Sequence, residues 1–146
     1  MLRRASFVRV LSALVLLSIT STAQRLDTKS LRDILARQGF SGELRGKVTF
    51  SRLGTFKCNA EKLQVFYYTW EETNPPGRAI HFSQRLIFIE KQNYIGHYVI
   101  SDRPLLVEPD LLRFPVSRED GNALRCDKDG LPKSLYLDGG GRVFER

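Results

Sequence analysis

After Gly39 the chain changes its rhythm, and that change limits its fold more than any other feature. Residues 47–51 (Lys-Val-Thr-Phe-Ser) alternate apolar and polar side chains, the period of a strand half-buried against a core. Residues 63–70 are rich in β-branched and aromatic side chains, and Asn74-Pro75-Pro76-Gly77 then breaks the run. Residues 79–90 read as a long strand, Lys91-Gln92-Asn93 as a hairpin loop, and residues 94–100 as the returning strand. Shorter runs follow at 105–107, 111–114, 123–126, 134–137 and 142–144. Between them stand Glu108-Pro109-Asp110, Glu119-Asp120-Gly121-Asn122, Asp129-Gly130 and Asp138-Gly139-Gly140-Gly141, all turn formers. Strands spaced by roughly 8–12 residues, with one helical pattern only, predict a mainly β fold. The expectation is a single antiparallel meander forming a small barrel, roll or sandwich, with one short N-terminal helix.

That helix is expected near residues 28–38. Asp27 or Thr28 can cap it, Leu31, Ile34 and Leu35 follow i, i+3, i+4 spacing, and Gly39 offers a left-handed stop. Its apolar stripe is narrow, so the expected role is a lid on a core built by the strands.

The hairpin allows a register to be written down. Pairing Glu90 with Tyr94 sets Phe88 opposite Gly96, Ile87 opposite His97 and Leu86 opposite Tyr98. An aromatic ring over a cross-strand glycine is a known packing device. Both faces of this pair are then largely apolar, as in a central strand.

The first residues read as an address. Arg3, Arg4 and Arg9 form a basic start with no acid before Asp27, residues 11–19 are apolar but for Ser12 and Ser18, and Ser21 and Ala23 suit cleavage before Gln24. The apolar run is too short for a hydrocarbon core of ~30 Å. It is a block instead of an amphipathic helix, which favours a secretory leader over a mitochondrial one. The domain plan is therefore a signal peptide at 1–23 and one β-rich domain at 24–146, secreted or periplasmic, with no transmembrane anchor. The whole chain has 146 residues and a charge of +7; without the leader, 20 basic residues face 16 acidic ones, leaving +4. So modest a charge gives no support to a polyanion partner.

Cys58 and Cys126 are the only cysteines. In an oxidising compartment such a pair reads as one disulfide, and neither lies in a redox, haem or zinc spacing.

Chemical motifs are scarce. His81 and His97 share a face in the proposed register but lie about 20 Å apart along the strands, too far for one metal. Gly39-Phe40-Ser41-Gly42 lacks the strand that a nucleophile elbow needs. Asp127-Lys128-Asp129-Gly130 brings its glycine too early for a calcium loop. Tyr67, Tyr68 and Trp70 beside Arg85 could stack nucleic-acid bases, but the leader, the modest charge and the absence of an RRM or OB signature exclude that reading. Phe56-Lys57-Cys58, followed by Leu63 and Val65, resembles the opening strand of the periplasmic C-type lysozyme inhibitors. Gly96 and Tyr98 match the Gly and Tyr of that family's Ser-Gly-x-x-Tyr loop, whereas its Trp and Lys-Gly elements have no counterpart. The resemblance spans little more than one strand and carries no membership.

The expectation is an exported, non-catalytic domain without cofactor or metal. Its role would be envelope-structural, or binding a small molecule, glycan or protein through Tyr68, Trp70, Arg85 and His97. Tyr, Trp and Arg dominate contact energetics, hence those residues. The alternative is a small secreted hydrolase with acid–base residues assembled from separate strands. A cleft with two convergent carboxylates, or a histidine beside a hydroxyl, would speak for it.

Overall fold

A computed structural model describes residues 26–72, 81–115, 122–137 and 139–146. The leader, the Asn74-Pro75-Pro76-Gly77 breaker, residues 119–121 and Asp138 lie outside the described residues.

Helix α1 spans Thr28–Arg37. Its cap is Asp27, whose side chain accepts from the Ser30 amide at 2.8 Å, and its buried stripe is Leu31, Ile34 and Leu35. Gly39, at a φ of 80°, turns the chain away. A linker then leads to strand β1, Lys47–Cys58, which runs unbroken through a bulge between Arg52 and Gly54. Alternation is lost at that bulge, so the sequence displayed only the two ends of a twelve-residue strand.

The remaining strands are β2 (Glu61–Glu71), β3 (Phe82–Glu90), β4 (Asn93–Val99), β5 (Leu105–Glu108), β6 (Leu111–Arg113), β7 (Ala123–Leu124), β8 (Ser134–Leu137) and β9 (Gly140–Glu145). They form two antiparallel sheets, one in the order β1-β2-β3-β4-β9-β8 and the other β5-β6-β7. The mainly β meander expected from the sequence is present. Among the described residues the larger sheet has two ends and does not close into a barrel.

Several expected boundaries move. The strand expected at 79–90 begins at Phe82, with His81 outside it and residues 79–80 outside the described set. The run at 123–126 is a strand only at Ala123–Leu124, because Cys126 is held by the disulfide and Asp127 bridges to Gly130. The β3–β4 loop is two residues, Lys91-Gln92, with Lys91 at a φ of 56°. Glu90 therefore pairs with Asn93 and Tyr94 with Ile89, correcting the expected Glu90–Tyr94 pair. A register shift between Phe88 and Ile89 leaves Ile95 as the extra residue. Beyond it, Phe88 faces Gly96, Ile87 faces His97 and Leu86 faces Tyr98, as the sequence indicated.

Strand β3 lies between β2 and β4, and its alternate side chains feed two cores. Leu86 and Phe88 join Phe56, Val65 and Tyr98 on one face, packed against Leu112, Phe114 and Leu124 from the β6–β7 region. Ile87 and Ile89 join Phe66 and Tyr68 on the other, covered by the α1 stripe and Phe40. The helix is thus a lid over one face of the large sheet. The disulfide Cys58–Cys126 ties the end of β1 to the segment after β7, with the Cα atoms 5.3 Å apart. No helix among the described residues is long and apolar enough to cross a membrane.

Candidate functional site

The expected binding residues converge beneath the helix linker. Tyr68 on β2 pairs directly with Arg85 on β3, Trp70 lies two residues further along the same face, and His97 reaches that face from β4. Phe40 is wedged among them. Its ring makes edge contacts with Tyr68, Tyr94 and His97, with centroids 5.4, 5.8 and 5.2 Å away. The Arg85 guanidinium lies 5.2 Å from the Phe40 centroid and 5.8 Å from that of Tyr68. Its buried Nε and Nη1 face these ring systems without a hydrogen-bond partner. Gly42 closes over it, and a Cβ there would collide with Nη1 and with the Phe40 ring.

Tyr68 and His97 are fully buried, whereas Trp70 and Arg85 keep part of their surface. The Tyr68 hydroxyl donates to the Glu43 carbonyl at 2.6 Å. The His97 Nδ1 lies 2.5 Å from the Tyr94 hydroxyl, and its Nε2 is 3.3 Å from Glu145 Oε2 without a hydrogen bond between them. Burial and the nearby Arg85 charge lower the His97 pKa to about 4, with Glu145 pulling the other way. Burial pushes the Tyr94 phenol up to about 12. At neutral pH the pair is therefore an uncharged imidazole hydrogen-bonded through Nδ1 to a protonated phenol.

A histidine beside a hydroxyl is thus present, but without the attributes of a catalytic pair. The hydroxyl is a phenol held protonated, and the imidazole has no exposed surface. Ser41 Oγ donates to Glu145 Oε2 at 3.3 Å and not to His97. The other histidine, His81, is exposed and 3.9 Å from Glu72. Among the described residues no group of three or more His, Cys, Asp or Glu side chains is placed to hold a metal.

A second site was not anticipated. In an antiparallel meander the β1–β2 and β3–β4 turns fall at the same end of the sheet, which brings Glu61, at the start of β2, close to Glu90, at the end of β3. Between these turns and residues 127–134 lies a groove of about 1010 Å³. Leu63, Ile95, Leu131 and Phe144 give it apolar walls continuous with the larger core. Glu61, Glu90, Asp127, Asp129, Lys133 and Arg146 supply its charges. The segment at 127–134 is held by the Tyr98 hydroxyl, which donates to the Pro132 carbonyl at 2.5 Å, and by Asn59 Nδ2 donating to the Asp127 carbonyl at 3.0 Å.

The Glu61 and Glu90 carboxyls are in hydrogen-bonding reach, and that contact together with their mutual repulsion raises the Glu90 pKa; Lys91 lowers it by less. Two convergent carboxyls in a cleft are therefore present as well.

No family model, no characterised protein and no solved structure matches the chain.

Proposed function

We propose that the chain is an exported, non-catalytic binding domain whose ligand lies in the groove at the turn end of the large sheet. The observation that carries this reading is the groove itself, about 1010 Å³ with apolar walls and a charged rim. Ligand pockets of this kind typically measure about 300–1,000 Å³, large enough for a small molecule or for the end of a glycan or peptide. Export rests on the leader-like start, and the Cys58–Cys126 disulfide supports an oxidising destination. The Tyr68, Arg85 and His97 cluster is better suited to fixing the helix lid than to touching a partner, because its polar atoms point inward.

Ser134 lies exposed on the groove wall, so Ser134→Trp fills the groove without removing a core side chain. In ligand-observed NMR with a library of small soluble fragments, the wild type should give saturation-transfer signals that Ser134→Trp loses. Equal signals from both proteins would remove the groove as the binding site. Turnover of ester, amide or glycoside substrates that Glu61→Gln or Glu90→Gln abolishes would replace the proposal with the hydrolase reading.

A further inference from the structure

We infer that residues 39–46 are an acid-released strap: Phe40 seals the His97 imidazole, and protonation of that imidazole frees the strap while both sheets stay folded. The inference is independent of the groove. Between α1 and β1 the chain has no regular structure, and the strap begins and ends on Gly39 and Gly46, at φ of 80° and 76°. Within it only Phe40 is buried, and at 9% exposure that ring is the shallowest buried side chain of its core cluster. The strap is tied down by Ser41 Oγ on Glu145, by the Tyr68 hydroxyl on the Glu43 carbonyl, and by Arg32 Nη1 on the Leu44 carbonyl at 2.9 Å. Lifting it uncovers one ring and breaks few bonds, so the α1 stripe and the core around Leu86 and Phe88 can stay in place.

Against the Phe40 ring lie one cation and one group that can become another. The Arg85 guanidinium and the His97 ring are each 5.2 Å from its centroid. Arg85, on β3, has no ion pair among the described residues, and its buried Nε and Nη1 lack hydrogen-bond partners. Around His97 the other titratable groups are Tyr94 on β4, Tyr68 on β2 and Glu145 on β9. From the strap, Glu43 turns its carboxylate back to the Leu44 and Arg45 amides, and α1 buries only Leu31, Ile34 and Leu35. Glu145 is half-exposed, and its Oε2 already accepts from Ser41. One such carboxylate does not neutralise two buried cations, so a proton on His97 costs more under the strap than in water. Lifting Phe40 admits water to both groups, and acid therefore favours the open form.

Amide hydrogen exchange of the intact, disulfide-bonded protein, corrected for the intrinsic rate at each pH, reads the opening at the Phe40 amide, which donates to the Leu35 carbonyl at 3.2 Å. A His97 pKa of 6.5 when open and about 4 when closed limits the gain in open population to about 300-fold. Phe40 protection should accordingly fall about a hundredfold between pH 7.5 and pH 4. Up to about 1 M urea that exchange should barely change, as for a local opening, whereas the β2–β3 amides should exchange more slowly and accelerate with urea. His97→Gln should lose the pH dependence and Glu145→Gln should keep it. Should His97→Gln fail to fold, Phe40→Ala gives the same test, because its His97 ring signals should titrate nearer pH 6.5 than pH 4. Phe40 protection that stays constant with pH, falls equally in His97→Gln, or shares the urea slope of the β2–β3 amides would overturn the inference. An unmoved His97 titration in Phe40→Ala would overturn it as well, and so would loss of the response in Glu145→Gln, which would make the carboxylate the trigger.

Discussion

Replacing Gly96 with alanine tests how the two halves of the large sheet are joined. Gly96 has a φ of 149°, which side chains rarely tolerate, and a Cβ there would lie 2.5 Å from the Glu145 carbonyl oxygen and 2.5 Å from Phe144 Cζ. The ring can move, but the carbonyl belongs to the backbone of β9. Strand β9 is paired to β4 only through His97–Glu145 and Tyr98–Phe144, so the strand itself must yield. Backbone strain of about 1–3 kcal/mol adds to overpacking of about 1–3 kcal/mol, and about 3 kcal/mol is the expected loss. With a urea slope near 1.5 kcal/mol/M, the midpoint should fall by about 2 M. Phe144→Leu removes the ring contact but not the carbonyl contact. Combined with Gly96→Ala, it should recover about 1 kcal/mol in a double-mutant cycle. A Gly96→Ala midpoint within about 0.3 M of the wild type would refute the β4–β9 geometry on which the Phe144 wall of the groove depends.

Two further outcomes follow from the same chemistry. Breaking Cys58–Cys126, which closes a 68-residue separation, should lower stability by about 4 kcal/mol in the chain-entropy model, read as a urea midpoint with and without reductant. His97 is held neutral in the fold, its pKa lowered from 6.5 to about 4. The unfolded chain therefore binds the extra proton first as the pH falls. The stability contributed by the neutral imidazole is present above about pH 6.5 and is lost on acidification towards pH 4, by about 3 kcal/mol. His97→Gln should flatten that part of the pH profile, and an unchanged profile would show that the imidazole is not buried uncharged.

The fold was legible where local pattern and long-range packing agree. The α1 stripe, the β3–β4 hairpin and the exact span of β8 at Ser134–Leu137 could be read from periodicity, because one face of each meets a core. Two sequence errors in the hairpin cancelled: the loop is one residue shorter than expected, and the extra residue at Ile95 restores the pairing beyond it. A bulge leaves no mark in composition, so its existence could not be read. The convergence of Tyr68, Arg85 and His97 follows from strand parity, but their burial does not. It depends on which face α1 covers, and both faces of β3 are apolar enough to receive it. The groove was illegible for a different reason. Its walls come from residues 58–63, 90–95, 127–134 and 144–146, which meet only when the turns align and the disulfide holds the segment after β7 against them.

The most direct test of the account is amide chemical-shift mapping of the intact protein titrated with the library fragments that give saturation-transfer signals. The account predicts that these fragments perturb one contiguous set around Glu61, Leu63, Glu90, Ile95, Leu131 and Phe144, and that Ser134→Trp abolishes the response. Perturbations centred instead on Phe40, Tyr68 and Trp70 under the helix lid, or a response unchanged in Ser134→Trp, would contradict it.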